Sequence, residues 1–250
     1  MAHPTESDTI KIIAHIHTEF NTKFGVPRQS GIIDSLRGRI VFEPEYRVAD
    51  ALRGIEGFSH LWLIWQFSEA RRDSWSPTVR PPRLGGNTRM GVFATRSPFR
   101  PNAIGLSSVR LIDVDYTSPD APAIIVAGAD LMNGTPIIDI KPYLPYTDSH
   151  PDATGGFTDT NTQAMQPLEV NIPENLACRI GADTLAALRG TLACDPRPRY
   201  QHDPERIYGM TFANREVKFK VDGTTVTVIS IDEFLLRQKR CIFAKTFAKQ

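Results

Sequence analysis

The stretch VRLIDVDYTSPDAPAIIVAGADLMNGTPIIDI, residues 109–140, decides the fold. It holds three apolar, β-branched pieces, Val109–Tyr116, Ala123–Ala127 and Ile137–Ile140, parted by Pro, Gly, Asp, Asn and Ser. β-Branched runs between turn residues read as strands, and strands that follow one another with little helix between them predict an antiparallel sheet or barrel. Upstream, Ile10–His17 (IKIIAHIH) alternates and opens the sheet, and Gly38–Phe42 adds a short strand. His60–Phe67 (HLWLIWQF) is continuously apolar, which predicts a strand buried on both faces with Trp62 and Trp65 in the core. Val48–Gly54 reads as a short helix.

Past about Pro167 the pattern changes. Residues 173–190 read as a helix, and 207–213, 216–221 and 224–231 as strands, the last two flanking the hairpin pair Asp222-Gly223. The expectation is a mainly β chain: a single-sheeted β-barrel over residues 1–162 and a small α+β C-terminal domain over 163–250.

Composition excludes several classes. A hydrophobic fraction of 41% in 250 residues suffices for a sizeable core. No apolar run approaches the ~20 residues of a membrane span and the first residues lack the apolar core of a signal peptide, so a cytoplasmic location is expected. Cys178, Cys194 and Cys241 form no CxxC pair, and His15 and His17 lack neighbouring acidic or thiol ligands, so no metal is expected.

The net charge of +1 hides an asymmetry. Between Glu69 and Arg110 stand eight arginines and no lysine against Glu69 and Asp73, leaving this segment at +6 and the remainder near −5. Arginine favours planar, bidentate recognition of phosphate and stacking on bases. Residues 68–90 have no periodicity and several Pro and Gly, and carry Trp75 among arginines, which suits a surface for bases and phosphates.

The motifs of dinucleotide, nucleoside triphosphate, zinc-protease and serine-hydrolase sites are absent. Three stiff polar loops remain: 27–31 (PRQSG), 96–108 (RSPFRPNAIGLSS), and 127–130 (AGAD) running on to 139–146 (DIKPYLPY). Each lies at a predicted strand end, where barrel loops meet at a rim.

The stretches GNTRMGVFATRSPFRPNAIGLS and DLMNGTPIIDIKPYLPYTDS resemble the TsaA-like (TrmO) family, as do FGVPRQSG, GFSHLWLIWQF, PTVRPPRLGG and DPRPRYQHDPERIYGM. The resemblance covers nearly the whole chain, thinning between about Thr154 and Ala193. It implies a single-sheeted β-barrel, a homodimer, S-adenosylmethionine as cofactor, and methyl transfer to N6 of threonylcarbamoyladenosine at position 37 of threonine tRNA. Carried onto this sequence, it puts the cofactor against Gln29, Ser30, Gly31, Phe67, Ser68, Arg96, Leu106, Ala127, Gly128, Ala129 and Asp130.

The residues agree in kind. Arg96 suits a carboxylate, and Asp130 suits hydroxyl or ammonium donors. Transfer from a sulfonium asks the protein to align the acceptor nitrogen and to exclude water, and a base would help remove its proton. On the DIKPYLPYTD loop Asp139 and Tyr146 rank first for that role, ahead of Tyr143 and Asp148; the alternative for Asp139 is to orient neighbouring loops. Arg71, Arg72, Arg80 and Arg83 are assigned to the anticodon loop of the tRNA, and Arg100 and Lys141 to tRNA phosphate or to the threonyl carboxylate of the modified base. Arg197, Arg199 and Tyr200 either grip that loop or form a clasp between domains. Competing classes are a non-catalytic RNA-binding module, and a methyltransferase of a small molecule or protein.

Overall fold

A computed structural model describes residues 9–69, 74–84, 88–159, 166–197, 201 and 203–234. Arg71, Arg72, Arg199 and Tyr200 lie outside them, as does the side chain of Arg83.

Strands β1 (Ala14–Thr18), β2 (Arg37–Phe42), β3 (His60–Gln66), β6 (Ile104–Asp115), β7 (Ala123–Ala127) and β8 (Thr135–Pro142) close into one barrel in the order β1-β2-β7-β6-β3-β8. All its pairings are antiparallel, and β8 returns to β1 through Ala14↔Ile137. Closure leaves no free edge. A two-stranded ribbon, β4 (Thr78–Val79) and β5 (Met90–Gly91), stands beside the barrel.

The barrel strands alternate because each wall has one inner and one outer face. In β3, Leu61, Leu63 and Trp65 are buried, whereas Trp62, Ile64 and Gln66 are half-buried and face outward. The expectation of a strand buried on both faces is corrected accordingly. The outward Trp62 is nonetheless covered by Tyr143, 5.5 Å between ring centroids, and its Nε1 donates to Asp148 at 2.8 Å. That double occupation explains why an outward face can be so apolar.

The run 48–54 forms a 3-10 turn over Ala49–Leu52 rather than an α-helix. Strand β6 begins at Ile104, five residues before the expected start, so the end of the RSPFRPNAIGLSS segment is wall and not loop. The helix expected over 173–190 is two helices, α2 (Glu174–Ala177) and α3 (Ala182–Ala193), with extended backbone at Gly181 (φ −64, ψ 156) between them. A four-residue helix, α1 (Pro145–Asp148), lies in the stretch expected as loop.

The C-terminal sheet runs β10 (Tyr208–Phe212), β11 (Arg215–Asp222), β12 (Thr225–Glu233), β9 (Glu169–Asn171), with β9 parallel to β12. Its core includes Leu188, Leu192, Phe212, Phe219 and Val226. The same core takes in Phe20, Ile33 and Leu36 from the connector between β1 and β2. Phe20 meets Phe212 edge-on at 5.4 Å, the Ala213 N–H donates to the Glu19 carbonyl at 2.9 Å, and Ile33 packs where α3 carries Gly190. A Cβ at 190 would stand 2.6 Å from Ile33 Cγ2, so glycine permits this approach. The connector thus belongs to the barrel by sequence and to the C-terminal core by packing.

Candidate active site

The connector that packs on the C-terminal core also carries Gln29, Ser30 and Gly31. Gly31 meets the turn that follows β7: its N–H donates to the Gly128 carbonyl at 2.8 Å, and the Gly128 N–H donates to the Leu36 carbonyl at 3.1 Å. Both glycines have φ +76, the left-handed region that disfavours side chains. A Cβ on Gly128 would lie 3.2 Å from the backbone N and Cα of Gly31. Two glycines are what allow 29–31 and 128–130 to lie backbone against backbone. Ala127 and Ala129 are buried beside them.

Asp130 follows at once and is mostly buried. Its carboxylate accepts from Ser107 Oγ at 2.6 Å, and Ser107 Oγ accepts from Trp65 Nε1 at 3.0 Å. Burial pushes the Asp130 pKa upward; the Ser107 hydroxyl, the Arg96 charge and the Ser30 N–H all pull the other way. Trp65 reaches Ser107 because its ring lies over Gly105, where a Cβ would come within 2.2 Å of the indole. The edge of Phe67 meets the same indole at 4.3 Å. The Arg96 guanidinium donates to the Gln29 carboxamide oxygen, tying the loop after β5 to the connector.

Four stretches of chain therefore converge: 29–31, the end of β3 with the start of β6, Arg96, and 127–130. Of the expected cofactor contacts, Gln29, Ser30, Gly31, Phe67, Arg96 and Ala127 to Asp130 gather here. Ser68 is exposed just beyond Phe67. Leu106 is 54% exposed on the outer face of β6, across the wall from Gly105 and Ser107. Sequence reasoning missed Ser107 and took Trp65 for core alone. The signal was available: once Gly105 is in a strand, Ser107 shares its inward face, and an inward hydroxyl demands a partner.

Asp139 and Tyr146 are not brought to this cluster within one chain. Asp139 sits opposite Ile64 on the outward face, where it forms an ion pair with Lys141 at 2.8 Å, and Tyr146 is 86% exposed on α1. Asp148 is held by the Leu144 N–H and the Trp62 indole, which together lower its pKa. Arg100 turns back to its own loop, donating to the Thr95 carbonyl at 3.2 Å, while Arg80 is exposed. Arg197 makes two bonds to Asp195, at 2.8 and 3.0 Å, with its side chain 10% exposed. Its guanidinium is thereby engaged within its own turn, by an acid two residues away. His15 pairs with Glu43 and His17 with Asn133.

Chemically, the cluster offers a cation and a buried carboxylate beside a cradle of glycine backbone, with aromatic rings next to them. That arrangement suits a small molecule carrying both charges. The donor set consists of oxygen, nitrogen and arginine groups without thiol or imidazole, and it fits an amino acid joined to a nucleoside better than a metal.

A barrel with such a cradle at the ends of its strands defines a ligand-binding β-barrel enzyme class outside the Rossmann architecture. Residues 15–149 match the model of the tRNA-methyltransferase O N-terminal domain, and residues 157–234 that of the TrmO C-terminal domain. The chain belongs to the TrmO family. It is 40% identical over 227 residues to the tRNA (adenine(37)-N6)-methyltransferase of Escherichia coli, covering 88% of this chain and 96% of that one. It is 37% identical over 219 residues to a putative S-adenosylmethionine-dependent methyltransferase, RcsF, of Pseudomonas aeruginosa, covering 84% and 90%. The crystal structure of a P. aeruginosa TrmO superposes with a TM-score of 0.75 at 30% identity, covering 93% of this chain and all of that one.

Proposed function

We propose that the chain is a methyltransferase that takes its methyl group from S-adenosylmethionine and places it on N6 of adenosine 37 in tRNA, with threonylcarbamoyladenosine of threonine tRNA as the acceptor. The observation that carries this reading is the contact of Gly31 with Gly128, flanked by Arg96 and Asp130, in a chain with a relative named tRNA (adenine(37)-N6)-methyltransferase. The cofactor, when bound, supplies a methyl group on a cationic sulfur, an electrophile that needs no metal.

What the residues do follows from their chemistry. Arg96 exchanges the neutral Gln29 oxygen for a carboxylate, a stronger partner for a guanidinium. Asp130, whose pKa burial raises while Ser107 and Arg96 pull it back, accepts in its ionised form from hydroxyl or ammonium donors. Trp65 and Phe67 give an apolar wall that excludes water. Gln29, Ser30, Gly31, Phe67, Ser68, Leu106 and 127–130 are then cofactor contacts, several through backbone. Asp139 or Tyr146 would reach an acceptor base only from the outer face of the wall, which fits a pocket completed by a second chain. The outward apolar residues Ile64 and Leu106 support a homodimer of that kind. Arg71, Arg72, Arg80, Arg83, Arg197, Arg199 and Tyr200 remain proposed contacts to the anticodon loop, and Arg100 and Lys141 to its phosphates or to the threonyl carboxylate of the modified base.

The deciding experiment is incubation of the purified protein with labelled S-adenosylmethionine and threonine tRNA, with and without the threonylcarbamoyl group, followed by nucleoside mass spectrometry. Methyl transfer to the modified tRNA alone is expected. Equal transfer to both substrates would remove the threonylcarbamoyl requirement, and no transfer to either would overturn the proposal.

A further inference from the structure

Trp75 and Phe93 are 53% and 72% exposed, and their rings lie 6.2 Å apart between centroids with planes tilted by 32°. Two large aromatic rings in contact with each other and open to water form an apolar surface that the described residues leave exposed. The pair is rigidly mounted. Trp75 leads into β4 through a turn in which Ser76 Oγ donates to the Thr78 carbonyl at 2.8 Å. β4 pairs with β5 through Thr78↔Gly91, and the Val92 N–H donates to the Pro77 carbonyl at 2.9 Å. Buried Val92 anchors the 3-10 turn Val92–Ala94 that presents Phe93, and Thr95 Oγ1 closes it on the Val92 carbonyl at 2.9 Å. The next residue is Arg96, which binds Gln29. The aromatic pair and the cofactor cradle therefore share one short, hydrogen-bonded piece of chain.

The surroundings choose the partner. From residue 74 to 112 the sequence has six arginines and no Asp or Glu. Arg80 is exposed on the residue after β4, and Arg89, also exposed, donates to Thr78 Oγ1 at 2.8 Å beside β5. Aromatic faces flanked by arginines recognise unpaired nucleotides, by stacking on bases and pairing with phosphates. A second copy of this chain docked symmetrically on the patch would set these arginines against their own images.

We propose that Trp75 and Phe93 form a stacking platform for an unpaired nucleotide beside the methylated base, with Arg80 and Arg89 on the adjoining phosphates. The proposal rests on the reading of the chain as an RNA methyltransferase and deepens it by giving Trp75, Phe93 and Arg89 a role beside Arg80.

The test is binding of an anticodon stem-loop RNA to the full-length protein by fluorescence anisotropy over a range of salt. Trp75→Ala and Phe93→Ala each weaken binding about tenfold and leave the salt slope unchanged, since a lost base stack costs on that order and carries no counterion. Trp75→Phe keeps most of the affinity. Arg80→Ala lowers the slope by about 0.7, the share of one phosphate contact on a single strand. Calorimetry with S-adenosylmethionine shows all four variants binding cofactor as the wild type does. Wild-type affinity for RNA in both alanine variants overturns the platform and leaves the methyltransferase reading standing. Failure of the wild-type protein to bind the RNA removes the reading and the platform together. A sedimentation shift from dimer to monomer in Trp75→Ala, with RNA affinity intact, assigns the face to a second copy and overturns the proposal.

Discussion

Ser107→Ala is the most exacting probe of the site. The hydroxyl does two things at once: it accepts from the Trp65 indole at 3.0 Å and donates to Asp130 at 2.6 Å. Its removal strands a buried indole donor, at about 1–3 kcal/mol, and takes a hydrogen bond from a carboxylate, at about 1.5–3 kcal/mol. The expected loss of stability is roughly 3–5 kcal/mol, read as a lower urea midpoint with unchanged slope. Trp65→Phe removes the stranded donor beforehand, so Ser107→Ala in that background costs about 1–3 kcal/mol less. The double-mutant cycle measures this coupling directly. The cost also depends on pH. Ser107 opposes the upward shift of the Asp130 pKa, so the variant's pKa stands higher still, and its deficit grows as pH rises through that interval and shrinks in acid, where both proteins hold the proton. Costs that add to within about 0.5 kcal/mol, or a deficit that grows in acid, would refute the bridge.

Three further outcomes follow from the same geometry. Asp130→Asn stabilises the free protein at neutral pH and weakens S-adenosylmethionine binding at least tenfold by calorimetry; because burial raises the Asp130 pKa, the stability gain is full above that folded pKa and fades as pH falls toward the ordinary carboxylate range. Gly128→Ala costs about 1–2 kcal/mol of backbone strain and also loses the cofactor by forcing Gly31 away, whereas Gly54→Ala, at φ +87 with nothing within 4 Å, shows the strain alone. Ile33→Ala opens a cavity in the C-terminal core at about 2–5 kcal/mol and raises the Kd for the cofactor, although Ile33 is not among the expected contacts.

The barrel was legible because its evidence is local. AIIVA at 123–127 and the apolar run from His60 each announce a strand, and Asp222-Gly223 announces a hairpin. What the chain hides is pairing at long range. β9 is three residues, Glu-Val-Asn, whose strand character comes from β12 some 55 residues later and not from its own composition. Ser107 looked like one more turn residue in a motif of prolines and glycines until Gly105 was seen to lie in the wall. The arginine excess was visible, but its division was not: Arg110 is bound by Asp34 at 3.0 and 2.7 Å, far outside the segment, while Arg80 and Arg89 stay on the surface. The resemblance implies which residues meet the cofactor; the hydrogen bonds among them, Gly31 to Gly128, Arg96 to Gln29 and Ser107 to Asp130, join stretches too far apart in sequence to be read from it.

The connector between β1 and β2 gives the two domains a common fate. Its buried side chains, Phe20, Ile33 and Leu36, are ballast in the C-terminal core, and its backbone forms one lip of the cradle. An engineer who trimmed the chain to its barrel would keep every residue expected to touch the cofactor and still lose the counterweight that holds three of them in place. Conversely, a ligand that clamps residues 29–31 tightens a sheet it never meets, so that protection of the C-terminal strands from hydrogen exchange becomes a remote gauge of whether the barrel is loaded.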